Sequence, residues 1–466
     1  MKRLNSSQTS DMIRATVQNP VDRKKSIEDG VLTTLNYMDN PYLKSFELDI
    51  DDQMMQVNAR VLKAPNVQFL RRSLSGQTGA WNLRDVKLVD APKLESFAFL
   101  FFAEIDSRSA RDIMKEIIRK WRVAGMNIVP DEVPVNVVNP ERPGNIRGAL
   151  SHAFNKAQEV CKKRCQLLVC MIDKNEKDVY QMVKQVTLAE AGVVSQCMLF
   201  KHVRSARDIK DQYIANVALK ANVKIGGATN HVLDLGLPGG LNMIIGADVT
   251  HTNPGSGAPS VAAVVCSVDE QVTKYHTYVR GQGHRVEIIQ DMFGIMVEAL
   301  KNFKQENNDE GPKRILFFRD GVAAGQFAEV MISEVDAVHK ALKSLNMEHT
   351  KLTFMIVQKR HHYRLFPADK RDQDKSGNCL PGTVVDTSVM HPTQFNFFLQ
   401  SHAGLQGMSR PSLYHVLLDE NMMTSDQVQK ICFNLCFLSQ RATRSIGMVS
   451  PSYRAHIAAF CKHNFI

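Results

Sequence analysis

From about residue 95 onward, apolar positions follow two rhythms: short unbroken runs, and stretches that repeat every three to four residues. ESFAFLFFAE (95–104) is an unbroken run and predicts a buried strand. SARDIMKEIIRKWRVAG (109–125) repeats at helical spacing and stops at a glycine, predicting an amphipathic helix. GNIRGALSHAFNKAQEVCKK (144–163) predicts a second helix, and CQLLVCMI (165–172) a second buried strand. VYQMVKQVTLAEAG (179–192) reads as helix and VVSQCMLF (193–200) as strand. A different order begins at LNMIIGADV (241–249), a strand followed by the strands APSVAAVVCSV (258–268) and TKYHTYVR (273–280) across short turns. A long amphipathic helix, VEIIQDMFGIMVEALKNFKQ (286–305), and the strand RILFFRD (314–320) complete it. Before residue 93 the pattern is weaker, with polar helical text over 1–40 and then short strand text such as KSFELDI and MQVNARVL among turns.

Strands alternating with helices imply a parallel sheet with helices on its faces, so residues 93–228 are expected to form a Rossmann-like domain. No GxGxxG turn follows CQLLVCMI, which argues against a dinucleotide-binding enzyme. Three meandering antiparallel strands, a helix, and a strand returning beside the first give the order of a ribonuclease H-like core, expected over 229–466. Residues 1–92 read as an interdomain linker region of mixed helix and short strands. The fold class is therefore α/β, a Rossmann-like domain followed by a ribonuclease H-like one.

Charge adds a partner class. Lys and Arg number 58 against 48 Asp and Glu, a formal balance of +10, which favours a nucleic-acid or phosphate partner. Nine cysteines show no CxxC pair and several lie in apolar text, as expected of free thiols in a reducing compartment. The opening MKRLNSSQTSD has no apolar signal core, and no apolar run approaches membrane-spanning length. A cytoplasmic protein is expected, with a nuclear pool as an addition and no membrane partner.

Two of the strands run straight into an aspartate, Asp248 in LNMIIGADVTH and Asp320 in RILFFRDGV. A carboxylate at a buried strand end is costly unless a cation sits beside it. In the expected topology these strands are neighbours, so the two acids would share an edge. Such a pair is suited to two divalent ions about 3.5–4 Å apart acting on a phosphodiester. Mg²⁺ fits oxygen ligands of this kind. Glu287, opening a predicted helix, and His456, in apolar helical text, carry no comparable signal of their own.

GADVTH, RVEIIQD, FFRDGVAAGQF and PSYRAHIAAF resemble the PIWI domain of eukaryotic Argonautes, and QLLVC, VYQMVKQ, SQCM and LKANVKIGG resemble the MID domain that precedes it. The resemblance runs from about residue 41 to 460, and nothing resembles the family's N or PAZ domains. It implies a fragment starting in the second linker, with a MID domain and a PIWI domain. By position it assigns Asp248, Asp320 and His456 to metal binding and adds Glu287 as the loop glutamate that completes a catalytic set of four. The implied activity is a slicing endonuclease that uses two Mg²⁺, with Mn²⁺ as a substitute. It would cut RNA paired to a small-RNA guide and leave 5′-phosphate and 3′-hydroxyl ends. The alternative is a guide-binding silencing module that recruits partners without cutting. Silencing accessory proteins are expected partners under either reading, and no obligate oligomer is implied.

A second site follows from spacing and resemblance together. Tyr180 and Lys184 stand four residues apart on one helix, as do Lys220 and Lys224. With Gln196 they supply converging donors and an aromatic face, the parts that a terminal phosphate and its base need. The resemblance makes these residues, with Cys197 and Asn216, the pocket for a guide 5′-phosphate, and the loop at 172–179 the reader of the first base. QKRHHYRLF (358–366) sets cationic side chains beside aromatic rings. By resemblance Lys359, Arg360, His402, Arg441 and Tyr453 contact the guide backbone, which positions a strand and leaves sequence to base pairing. The chain departs from the family at Cys461, where an arginine reaching the 5′-phosphate is expected, and at Ser439 and Gly447, where other backbone contacts are expected.

Overall fold

Asparagine side chains start the first three helices. Asn5 accepts from the Gln8 N–H, Asn19 from Asp22, and Asn40 from Tyr42 and Leu43, opening α1 (Ser6–Thr16), α2 (Pro20–Asp29) and α3 (Pro41–Ser45). The computed structural model describes residues 4–84, 86–138, 145–173, 177–253, 255 and 257–463. Strand β1 (Arg60–Val61) joins the edge of the largest sheet, while β2 (Asn66–Gln68) and β3 (Ser73–Ser75) form a three-stranded sheet with a later strand. Residues 60–75 are thus stitched to the C-terminal half of the chain.

The next unit follows the alternating pattern. Strand β4 (Phe97–Phe102), helix α4 (Ser107–Val123), strand β5 (Val135–Val138), helix α5 (Ile146–Cys161), strand β6 (Leu167–Ile172), helix α6 (Lys177–Lys184), strand β7 (Val194–Leu199) and helix α7 (Asp211–Lys224) follow in turn. The sheet order is β5-β4-β6-β7 and every pairing is parallel. All of β4 and β6 is buried, as expected of parallel strands covered on both faces. Phe97, Phe99 and Phe101 pack with Ile113, Ile117 and Trp121 of α4 on one face. Ala98, Leu100 and Phe102 pack with Leu150 and Ala153 of α5 on the other. Strand β5 was not expected from the pattern, being a four-residue, half-buried edge.

Strand β8 (His231–Val232) completes the small sheet with β2. The large sheet then opens with β9 (Asn242–Thr250), β10 (Ser260–Ser267) and β11 (Tyr275–Gln282), an antiparallel meander. Helix α8 (Met292–Glu306) leads to β12 (Arg314–Asp320), which lies parallel to β9. Helices α9 (Phe327–Val330) and α10 (Asp336–Ser344) precede β13 (Lys351–Gln358), β14 (Thr383–Val385), β15 (Asn396–Gln400) and β16 (Ser412–Asp419). Helices α11 (Ser425–Leu435) and α12 (Ser450–His463) close the chain. The nine strands run β1-β14-β15-β16-β13-β12-β9-β10-β11. The meander with β12 returning beside β9 is the expected ribonuclease H-like order.

One predicted element is shorter than its apolar text. Helix α8 begins at Met292, not at Val286. Side chains claim the intervening backbone groups: Gln282 donates to the Val286 and Ile288 carbonyls, and Ile289 N–H donates to Glu334 Oε1. Residues 286–291 are therefore held as a loop, and Glu287 lies in it. All nine cysteines are free thiols. Among the described residues no helix is long and apolar enough to cross a membrane.

Candidate functional site

Strand β12 ends at Asp320, alongside Asp248 two residues before the end of β9. Arg319 pairs with Ala247, so the next residues, Asp320 and Asp248, reach the same edge together. Both are buried, at 1% and 5% exposure. His456 reaches Asp248 because α12 begins directly against β9. A Cβ on Gly246 would fall 2.1 Å from the Pro451 carbonyl carbon, so only glycine lets the helix start there. His456 Nδ1 then donates to Asp248 Oδ2 at 2.7 Å. One ligand atom from each of Asp248, Asp320 and His456 lies within 4.8 Å of the other two.

Glu287 approaches from its loop. Its Oε2 lies 2.8 Å from His251 Nε2, and its Oε1 lies 3.0 Å from Arg319 Nη2. Arg319 is fully buried and is also paired with the buried Glu334 at 3.1 Å, while His251 Nδ1 meets the Ser260 hydroxyl at 2.8 Å. A Cβ on Gly321 would sit 3.5 Å from Asp248 Oδ1 and 3.6 Å from Glu287 Oε1, so the two carboxylates face each other across that glycine. His251, Arg319 and Glu334 were missed in the sequence. Arg319 had a readable signal, a cation inside the apolar run RILFFRD.

The acids strain against their surroundings. Burial, and then repulsion from Asp248, push the Asp320 carboxyl up to about 6, opposed by Lys359 and His456. Lys359 Nζ stands 2.7 Å from Asp320 Oδ2 as an ion pair, and both buried Asp320 oxygens lack a well-formed hydrogen bond. Two carboxylates, an imidazole and an orphaned carboxylate oxygen fit a divalent cation.

A second site lies where the four-stranded unit meets α12. A cavity of about 190 Å³ is lined by Tyr180, Lys184, Leu188, Val194, Ser195, Lys224, Arg441, Ile457, Phe460 and Cys461. Lys184 donates to the Ser195 carbonyl at 2.9 Å and its hydroxyl at 2.8 Å, and Lys224 donates to the same carbonyl at 2.7 Å and to Gln196 Oε1 at 2.9 Å. Burial, and then the neighbouring Lys184, hold the Lys224 ammonium well below its usual range. The Tyr180 ring lies 5.7 Å from Lys184 Nζ, and burial pushes its phenol up to about 12. Ser195 was not singled out in the sequence, since its contribution is largely a backbone carbonyl.

The remaining sequence candidates divide. Cys197 pairs in register with Cys170 beneath the lysines, and the Cys170 thiol pulls its own thiol down to about 6. Lys220 is half-buried, and burial and then Arg441 lower its ammonium. Asn216 instead bonds Gln212 at 3.4 Å and is not part of the cavity wall. Arg441, expected along a guide backbone, lines this cavity. Cys461 stands in the wall where the resemblance expects an arginine, Ser439 Oγ is buried without a partner, and Gly447 packs under the His402 ring. Arg360 is exposed, and Tyr453 is 39% exposed one turn before His456. Positions 174–176 of the 172–179 loop lie outside the described residues.

Paired acids at adjacent strand ends of this mixed sheet define the class: a ribonuclease H-like nuclease fold. Comparison with known proteins gives the family. The Piwi domain family matches residues 167–466 and the Argonaute linker 2 domain matches residues 22–69. Protein argonaute 10 of Arabidopsis thaliana is 39% identical over 98% of this chain and 49% of its own length. Protein argonaute 18 of Oryza sativa subsp. japonica is 40% identical over 98% of this chain and 43% of its own. Among solved structures, the C-terminal lobe of a budding yeast Argonaute is similar with a TM-score of 0.77 and 25% identity, over 87% of this chain and 88% of that one. Kluyveromyces polysporus Argonaute with a guide RNA shares the fold with a TM-score of 0.84 and 24% identity, over 100% of this chain and 55% of that one. The chain belongs to the Argonaute family. It spans about half the length of the curated relatives it matches.

Proposed function

We propose that this chain holds a small-RNA guide by its 5′-phosphate in the cavity beside α12 and cleaves RNA paired to that guide at Asp248 and Asp320. The observation that carries the reading is the Asp248–Asp320–His456 cluster, its ligand atoms within 4.8 Å of one another at the ends of neighbouring parallel strands. Asp248, Asp320 and His456 would hold divalent ions, Mg²⁺ or Mn²⁺. When bound, these neutralise charge at the scissile phosphate and acidify a water nucleophile. Glu287, fixed by His251 and Arg319, offers a carboxylate on the Asp248 side to orient that water. Water adds to phosphorus and the bond to the 3′ oxygen breaks, leaving a 5′-phosphate on one product and a 3′-hydroxyl on the other.

The phosphate pocket is supported by its cations. Lys184, Lys224 and Arg441 converge on one cavity, and two of them are held by a single carbonyl, a weaker partner than a phosphate dianion. Tyr180 presents the ring on which a terminal base stacks. The test is cleavage of a matched RNA by the guide-loaded chain in Mg²⁺. Asp320→Ala is expected to abolish cutting while the guide stays bound, and cutting at the wild-type rate contradicts the reading. Target binding without any cutting by the wild-type chain supports the non-cleaving silencing module instead.

A further inference from the structure

The Lys359 ammonium sits directly on an acid of the candidate metal site, 2.7 Å from Asp320 Oδ2. We propose that Lys359 is a positioning residue that couples strand binding to metal binding: it occupies Asp320 when the chain is empty and is drawn off by an RNA phosphate. This inference rests on the metal-dependent reading above.

Lys359 and a divalent ion are competing partners of Asp320. Asp320 is 1% exposed at its side chain and Lys359 is 37% exposed, so the acid is fixed and the cation has an open side. A divalent ion on Asp320 must meet this resident charge, and two cations on one carboxylate repel strongly where water is scarce. The open side of Lys359 belongs to a basic surface. Arg360 is exposed beside it, Arg410 Nη1 reaches the Lys359 carbonyl at 3.4 Å, and burial, with Arg364 and Arg410 adding to it, lowers the nearby His361 imidazole. Such a patch attracts a phosphate backbone. Helix α12 links the two sites, since Ile457 and Cys461 wall the phosphate cavity and His456 bonds Asp248. A phosphate that takes the ammonium exposes Asp320 to metal, and a metal that takes Asp320 frees the ammonium for phosphate. The coupling is favourable and reciprocal.

The experiment is calorimetric titration of Mn²⁺ into the chain with and without a 5′-phosphorylated guide RNA, with no target present and so no turnover. Wild type is expected to bind Mn²⁺ on the order of tenfold more tightly with guide, within the usual range of such couplings. Lys359→Met is expected to bind Mn²⁺ that tightly without guide and to gain little when guide is added, while Lys359→Arg restores the guide dependence. Wild-type Mn²⁺ affinity in guide-free Lys359→Met, or an undiminished guide effect in it, overturns the coupling and leaves the metal site standing. Binding insensitive to Asp320→Asn in every state overturns the metal site itself, and the coupling with it.

Discussion

The carboxylate edge and the lysine-lined cavity are opposites built alike. At one, buried acids from β9 and β12 are pressed together, and a lysine settles on one of them. At the other, buried lysines from α6 and α7 converge, and the Ser195 carbonyl settles on both. Each site concentrates one sign of charge in low dielectric and meets part of it with a substitute from the chain itself. The difference lies in the strength of the substitute. Lys359 brings a full charge to its acid, whereas the Ser195 carbonyl offers only a dipole to two ammonium groups, so the lysines are the more frustrated set. Bound anion is therefore expected to stabilise the cavity more than bound metal stabilises the acid edge.

The comparison breaks most sharply at the chemistry. Asp248→Asn removes the acid that His456 bonds, and several kcal/mol of transition-state stabilisation should go with it, roughly a thousandfold in single-turnover cleavage. Guide affinity measured without divalent metal, which the proposed function places at the other site, should change less than about twofold, the size of a remote effect. Next in size is the brace. Arg319→Met leaves Glu334 buried without its charged partner and Glu287 held by His251 alone, and should cost about 3–5 kcal/mol of stability in denaturant unfolding. Third, Lys224→Met should weaken preference for a 5′-phosphorylated over a 5′-hydroxyl guide on the order of tenfold, the worth of one charged hydrogen bond. Competition binding with the two guides reads that ratio.

An effect of similar size concerns the strain at Asp320. The Asp320 carboxyl is raised from 3.8 to about 6 in the folded chain. Between those values the native state holds the extra proton, so the group's contribution to stability is present below about pH 4 and is lost as pH rises through about 6. Asp320→Asn, neutral throughout, should therefore stabilise the metal-free chain at pH 7–8 by on the order of 2 kcal/mol, with no gain near pH 4. Thermal unfolding across that range checks it, and a variant less stable at every pH contradicts it.

Where the sequence was legible, one residue type met one strong pattern. Asp248 and Asp320 announced themselves by ending apolar strands, and the meander-helix-strand order put them together. Glu287 was the reverse case. Its apolar neighbours Ile288 and Ile289 look helical, and only tertiary bonds from Gln282, Glu334 and Arg319 turn that text into a loop. His456 depends on Gly246 accepting the start of α12, a close approach between residues two hundred positions apart that no local pattern records. At the cavity, the helix spacing of Tyr180 with Lys184 was visible. The Ser195 carbonyl and the apolar wall from Leu188, Ile457 and Phe460 were not, since a backbone acceptor has no residue signature and ordinary apolar residues look like core.

The central claim is that Asp248, Asp320 and His456 form a divalent-metal site. Crystals soaked in Mn²⁺ and measured at the manganese absorption edge test it most directly. The account predicts an anomalous peak within bonding distance of both carboxylates, reduced or lost in Asp320→Asn. An Mn²⁺-saturated crystal with no peak there, and with Lys359 still on Asp320, would contradict it.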